Sequence, residues 1–223
     1  MKWNLDNIDG IIFDMDGVIF DTEALSMKIW HILGEKYNLD KIEEVAMQCI
    51  GRSLTDTMHI MEVSYGHLIS VKDVYDESRI VFQELTHKEG IPVKSGAREL
   101  LSYLKEHRIK VGLASSTSYD TVVKQLTCAG LIDYFQVIVG GDMIEHSKPK
   151  PDIYLMACDK LGVSPQKTVA VEDSLNGIKS AHSAGMIPVM VPDLIKPTDE
   201  ILNMTNDVMD SLNDVLEYIK TKL

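Results

Sequence analysis

The sequence lacks an apolar run approaching the ~18 residues needed to cross a bilayer as a helix, so a helical membrane protein is not expected. Cysteine is scarce. Cys49, Cys128 and Cys158 are odd in number, far apart and form no C-x-x-C pair, which excludes a disulfide framework and makes a reduced, cytoplasmic setting the simplest account. Seven histidines occur without H-x-H or H-x-x-x-H spacing, so a histidine-based zinc site is not expected. Positive charge is also in deficit. Twenty-two Lys and Arg face 34 Asp and Glu, a net charge of -12. No basic face is available to neutralise nucleic-acid phosphates, and any small anionic substrate would need positive charge placed locally. The opening residues Met1-Lys2-Trp3-Asn4-Leu5-Asp6 do not resemble a signal peptide, and there is no internal repeat or low-complexity tract. The acidic surface favours solubility but names no interface, so the sequence leaves the oligomeric state open.

What is present reads as an ordinary enzyme-like chain. Its 223 residues, 45% hydrophobic and 25% charged, suit one large domain or a core with an insertion. At the end of the apolar run Ile8 to Phe13, Ile11, Ile12 and Phe13 form a continuous apolar segment of the kind buried on both faces of a parallel sheet. From about Glu23 to Glu89 strand-like runs give way to helical spacing, with Leu25, Ile29, Ile32 and Leu33 at helical intervals and Val74, Ile80, Val81 and Leu85 less regularly so. This predicts a helical cap over residues 22–90, inserted into an α/β core of residues 1–21 and 91–223. Gly90 can end a helix at the boundary and Pro92 can stiffen the linker. Beyond it, strands at Lys110 to Ser115, Gln136 to Gly140, Thr168 to Glu172 and Ile187 to Val191 alternate with helices at about 95–107, 118–129, 152–161 and 174–184. Strands separated by single helices predict parallel pairing through right-handed crossovers. Val208, Leu212, Val215, Leu216 and Ile219 suggest a last helix, with Lys220 and Lys222 well placed at its negative end. The expected fold is therefore a Rossmann-like α/β parallel sheet with helices on both faces and an inserted α-helical cap.

The first strand stops abruptly at Asp14-Met15-Asp16-Gly17. Ligands in open α/β sheets sit beyond the carboxyl ends of strands. If the backbone stays extended through Met15, Asp14 and Asp16 project to the same side and repel each other. A hard divalent cation such as Mg2+ would relieve that repulsion. A calcium loop fails, because Val18, Ile19 and Leu25 occupy its fifth, sixth and twelfth positions. Alone, the two aspartates could equally be solvated turn residues.

Three further segments share this character. Leu113-Ala114-Ser115-Ser116-Thr117 ends a strand in hydroxyls just before a helix, a setting suited to phosphate or merely to an N-cap. Ser147-Lys148-Pro149-Lys150-Pro151-Asp152 puts two lysines before a positive helix end, a local imbalance that an anion would repair. Val169-Ala170-Val171-Glu172-Asp173-Ser174 is another apolar strand ending in carboxylates, with Asp173 or Ser174 also able to cap the next helix. Their joint occurrence is far more specific than any one of them.

On Asp14-Met15-Asp16-Gly17-Val18, Leu113-Ala114-Ser115-Ser116, Lys148-Pro149 and Glu172-Asp173-Ser174, in this order, the chain resembles the haloacid dehalogenase-like superfamily over almost its whole length. Asp21-Thr22-Glu23, Gly51-Arg52-Ser53 and Lys148-Pro149-Lys150-Pro151-Asp152 resemble the beta-phosphoglucomutase-like branch and its sugar-phosphatase relatives. The resemblance implies that Asp14 is the nucleophile that becomes an aspartyl-phosphate, and that Asp16 is the general acid and base, which also binds metal through its backbone carbonyl. It implies that Ser115, Ser116 and Lys148 hold the phosphoryl group, and that Asp14, Asp16, Asp173 and Glu172 form the Mg2+ site, Glu172 directly or through water. True dehalogenases of the family lack the second aspartate, so Asp16 favours phosphoryl transfer. A phosphonatase needs an imine-forming cap lysine, and no local pattern selects one among Lys28, Lys36, Lys41 and Lys72.

The expectation is a Mg2+-dependent phosphatase of a small, sugar-like phosphate, with Gly51, Arg52 and Ser53 as candidates for recognising the leaving group. A hexose-phosphate mutase is the alternative, but the positions where such mutases carry a cap arginine and histidine hold Leu54 and Ser26 here. A non-catalytic phosphometabolite sensor is a third reading, weakened by the intact Asp14, Asp16, Lys148 and Asp173.

Overall fold

Strand β1 (Gly10–Phe13) lies in the middle of the sheet and is buried along its whole length, as its apolar sequence requires. The computed structural model describes residues 8–50 and 54–221, leaving aside the side chains of residues 87–89. β1 pairs with β2 (Lys110–Ala114) on one side and β4 (Thr168–Glu172) on the other. With β3 (Val137–Val139), β5 (Ile187–Met190) and β6 (Asp207–Val208), the order is β3-β2-β1-β4-β5-β6 and every pairing is parallel. The chain steps outward from β1 to β3, then jumps back to β4 and proceeds the other way. That reversal beside β1 is the topological switch point at which such sheets open a crevice.

Two compact units are present, one of residues 1–21 and 93–223 and one of residues 22–92. The second holds α1 (Thr22–Tyr37), α2 (Ile42–Cys49), α3 (Leu54–Tyr65) and α4 (Val71–Glu89). Leu25, Ile29, Leu33 and Val74 form one apolar cluster and Leu39, Ile42, Ala46, Cys49, Met61, Tyr65 and Val71 another. Gly34 lets α1 and α2 approach closely, since a Cβ there would lie 2.4 Å from the Ile42 side chain. Ser70 caps α4 by accepting from the Asp73 N–H, and Gly90 ends it with φ 75°. Ile80, expected on the apolar stripe of this unit, is instead exposed.

In the first unit α5 (Ala97–Glu106) and α6 (Tyr119–Cys128) make the steps toward β3, while α7 (Asp152–Leu161), α8 (Leu175–Ser183) and α9 (Asp199–Met204) belong to the return steps. Right-handed crossovers running in opposite directions put these two groups on opposite faces of the sheet. α10 (Leu212–Lys220) packs on α5. On the α7/α8 face, Ile12, Ala114, Val139 and Ala170 of the strands meet Ile153, Tyr154, Ala157, Cys158, Leu161 and Ala181 of the helices in one buried cluster.

The C-terminal segment differs from expectation at Val208. It pairs with Met190 at the edge of the sheet, and the helix begins only at Leu212, where Ser211 accepts from the Asp214 N–H. An apolar residue four positions before Leu212 fits a helical stripe by spacing alone, but Asp210 and Ser211 supply a turn and a cap that exclude it.

Candidate active site

Strand register places the chemistry. Phe13 is level with Leu113 and Val171, so the next residues, Asp14, Ala114 and Glu172, emerge side by side at the carboxyl edge. The Asp14 N–H still donates to Val171 O at 3.0 Å. The chain then turns, with Phe20 N–H donating to Met15 O at 3.0 Å and Gly17 N–H to Phe20 O at 2.9 Å. Gly17 has φ 79°, and a Cβ there would sit 2.1 Å from Asp173 Oδ2, so the turn needs glycine for both conformation and space.

Lys148 reaches this edge from the loop before α7. Its Nζ donates to Asp14 Oδ1 at 2.6 Å, Glu172 Oε1 at 2.5 Å and Ala114 O at 3.2 Å, which uses all its protons. Neither Lys148 nor Glu172 is more than marginally accessible, at 7% and 0% of the side chain. Glu172 is saturated with donors. Oε1 also accepts from Tyr154 Oη at 2.8 Å, and Oε2 accepts from the Asp173 and Ser174 N–H groups at 3.2 Å and from Ser174 Oγ at 3.0 Å. Gly177 leaves room for it, since a Cβ there would lie 1.9 Å from the Glu172 carboxyl carbon.

The sequence-predicted residues fall into distinct groups. Asp14, Glu172 and Asp173 each bring a carboxylate oxygen within 4.8 Å of the others. The Asp16 carboxylate is turned elsewhere: its Oδ2 accepts from Thr117 Oγ1 at 3.1 Å and from Ser115 Oγ at 3.4 Å. Buried Ser115 meanwhile accepts the Thr117 N–H at 3.0 Å. Ser116 is exposed at the turn, and so is Lys150. Gly51, Arg52 and Ser53 lie outside the described residues.

Sequence reasoning passed over Thr117 and Tyr154. Thr117 stood in the hydroxyl-rich turn already singled out. Tyr154 was marked by the buried stripe Ile153, Tyr154, Ala157, Cys158 and Leu161 of α7, in which it is the residue carrying a hydroxyl.

Burial dominates the electrostatics. Desolvation pushes the Asp14 carboxyl from 3.8 up to about 8, the neighbouring Glu172 and Asp16 charges push the same way, and Lys148 opposes them. Burial alone would depress Lys148, but Asp14 and Glu172 more than offset it and hold the ammonium above its ordinary range. Tyr154 is raised well above 10 by burial and by Glu172, so it is a donor at any physiological pH. The result, among the described residues, is a largely buried cluster of carboxylate oxygens with Lys148 as its cation, a donor set suited to a hard divalent ion.

The profile of the haloacid dehalogenase-like hydrolases matches residues 11–191. The chain belongs to that family. It is 33% identical over 183 residues, 80% of this chain and 82% of the other, to a Thermotoga maritima protein named phosphorylated carbohydrates phosphatase. A Thermotoga maritima crystal structure superposes with a TM-score of 0.81 at 28% identity, covering 97% of this chain and 100% of that one. The crystal structure of a beta-phosphoglucomutase from Clostridium difficile does so with a TM-score of 0.71 at 29% identity, covering 96% of each chain. The matched residues span Asp14, Asp16, Ser115, Lys148, Glu172 and Asp173 at the carboxyl edge of the sheet. Among the described residues no helix is long and apolar enough to cross a membrane.

Proposed function

We propose that this hydrolase is a Mg2+-dependent phosphatase that cleaves a small phosphate monoester, a sugar-like one, through an aspartyl-phosphate on Asp14. The observation that carries the reading is the buried Asp14 carboxylate held at 2.6 Å by an ammonium that is itself braced by Glu172. A binding module for phosphate gains nothing from a second anion at its centre, whereas a nucleophile must be one.

Asp14 and Asp173 would hold the cation, with the Asp16 backbone carbonyl as the family resemblance implies, and Glu172, whose oxygens are already filled by donors, would act on it through water. Bound there, Mg2+ would offset the charge of both carboxylate and phosphoryl group. Lys148 aims Asp14 and opposes the burial that favours its protonated form, a task the bound cation would share, and it turns one N–H toward a phosphoryl oxygen as charge moves there. Ser115 has one hydroxyl proton, which now points at Asp16. Donating it to a phosphoryl oxygen instead leaves Thr117 as the hydroxyl that holds Asp16. Asp16 then protonates the leaving oxygen, and once that group departs it takes a proton from the water that attacks phosphorus and frees Asp14.

The similarity to a beta-phosphoglucomutase favours a second reading, transfer between positions of a hexose phosphate. A mutase must grip a second phosphate. Leu54, exposed at the start of α3, and Ser26 in α1 supply no cation for that, which favours hydrolysis. We take the 22–90 segment as the cap that chooses the leaving group. The free cysteines Cys49, Cys128 and Cys158 fit a reducing cytoplasm.

The test is release of inorganic phosphate from a panel of sugar phosphates with and without Mg2+, with Asp14→Asn as control. Mg2+-dependent release that vanishes in the variant is expected. Release that survives Asp14→Asn refutes the mechanism, and isomerisation of hexose 1-phosphates without release establishes the mutase.

A further inference from the structure

Tyr154 has no part in the reaction as derived above, yet it touches the site at two points. Its hydroxyl donates to Glu172 Oε1 at 2.8 Å, and its ring centroid lies 5.0 Å from Lys148 Nζ. We propose that Tyr154 is a positioning residue that pins Glu172 Oε1 and, through it, holds the Lys148 ammonium on Asp14. The proposal rests on the phosphatase reading and adds to it a residue outside the sequence motifs.

The packing of α7 does not call for a hydroxyl. Tyr154 is fully buried among Ile12, Ala114, Val139, Ile153, Ala157 and Ala170, where a phenylalanine would fill the same space without a polar atom to satisfy. The hydroxyl is therefore explained by its acceptor.

Glu172 needs it for a geometric reason. Oε2 is fixed by three donors from its own turn, the Asp173 and Ser174 N–H groups and Ser174 Oγ. A carboxylate anchored at one oxygen can still swing the other. Oε1 is held by two donors, Lys148 and Tyr154, and the first of these is an ammonium on a flexible four-methylene stem that must redirect one N–H to the phosphoryl group. When Lys148 shifts, Tyr154 is the donor that stays. The ring adds a second constraint, because it stands in cation–π range of the same ammonium.

Tyr154→Phe isolates the hydroxyl, since it keeps the ring and the packing. The expected result is a kcat lowered ~10-fold, the size set by one hydrogen bond to a charged acceptor, with KM changed less than about 2-fold. Affinity for orthovanadate in the presence of Mg2+, measured by calorimetry, should fall in parallel, because the trigonal-bipyramidal anion draws on Lys148 as the transition state does. In a Glu172→Gln background the same Tyr154→Phe change should cost less than about 2-fold in either readout, since the hydroxyl acts through that carboxylate. A residue that served packing alone would lower thermal stability and leave kcat per folded molecule and vanadate affinity unchanged, which overturns the proposal. Equal losses in both backgrounds overturn it too. A wild-type chain that neither releases phosphate nor binds orthovanadate refutes the phosphatase reading itself, and one that does both while Tyr154→Phe matches it refutes the Tyr154 assignment alone.

Discussion

Asp14→Asn should kill turnover and at the same time make the metal-free protein more stable. The carboxyl is buried, with Lys148 as its cationic partner and with Glu172 and Asp16 adding negative charge nearby. Its folded pKa of about 8 lies above the ordinary 3.8, so the folded chain binds this proton more tightly than the unfolded chain does. The sign follows directly. The favourable contribution of Asp14 is complete below pH ~4 and is lost as pH rises to about 8. The gap of roughly four pH units, at ~1.4 kcal/mol per unit, sets an upper bound of about 6 kcal/mol, and relaxation of the site brings the expected gain of the variant at pH 8 to about 2–4 kcal/mol. Asparagine keeps the oxygen that Lys148 donates to, so the substitution removes the charge with little loss of contact. The assay is urea unfolding of both proteins in EDTA at pH 4.5, 6.5 and 8.5. The difference should open with pH, from about zero at the acid end. Saturating Mg2+ should then stabilise the wild type by ~1–3 kcal/mol and the variant by less, closing the gap. A variant no more stable than wild type at pH 8.5, or a difference independent of pH, refutes the claim that Lys148 only partly offsets the burial of the carboxylate at this strand end.

Two other substitutions probe the neighbouring geometry. Gly177→Ala puts a Cβ about 1.9 Å from the Glu172 carboxyl, a clash that can be relieved only by displacing a fully hydrogen-bonded group, and it should cost about 2 kcal/mol or more in urea unfolding and at least ~10-fold in kcat; a variant equal to wild type in both refutes the tight fit. Thr117→Val deletes the hydroxyl that remains on Asp16 once Ser115 has turned to phosphate, and should lower kcat about 10-fold for substrates with poor leaving groups and less for aryl phosphates, whose departure needs no proton; an equal loss across leaving groups refutes a role through Asp16.

Much of the fold could be read from pattern because the pattern is physically forced. The strands that become β1, β2 and β4 are buried on both faces apart from Lys110, and the residues at their middles are apolar or glycine as that burial requires. The end of the chain was less legible. Val208 lies on a two-residue edge strand that the body of the sheet recruits, and nothing within Asp207-Val208 announces it. α9 did carry a local signal, Thr198 followed by Asp199 and Glu200, with the Thr198 side chain accepting from Ile201 N–H, but its six residues are too few for a hydrophobic period to show.

In the site, the types of group were legible and their pairings were not. Period-two reasoning sets Asp14 and Asp16 as two carboxylates facing one another, in need of a cation. The chain instead leaves the strand after Phe13, and the structure splits the pair: Asp14 goes with Glu172, Asp173 and Lys148, while Asp16 goes to the hydroxyls of Ser115 and Thr117. Lys148 is 134 residues from Asp14, and only the reversal of strand order beside β1 brings its loop to the same edge. The division has a chemical consequence. On the proposed reading this sets the nucleophile against the Lys148 ammonium and the general acid among the hydroxyls of Ser115 and Thr117, so two aspartates, two residues apart, meet different partners.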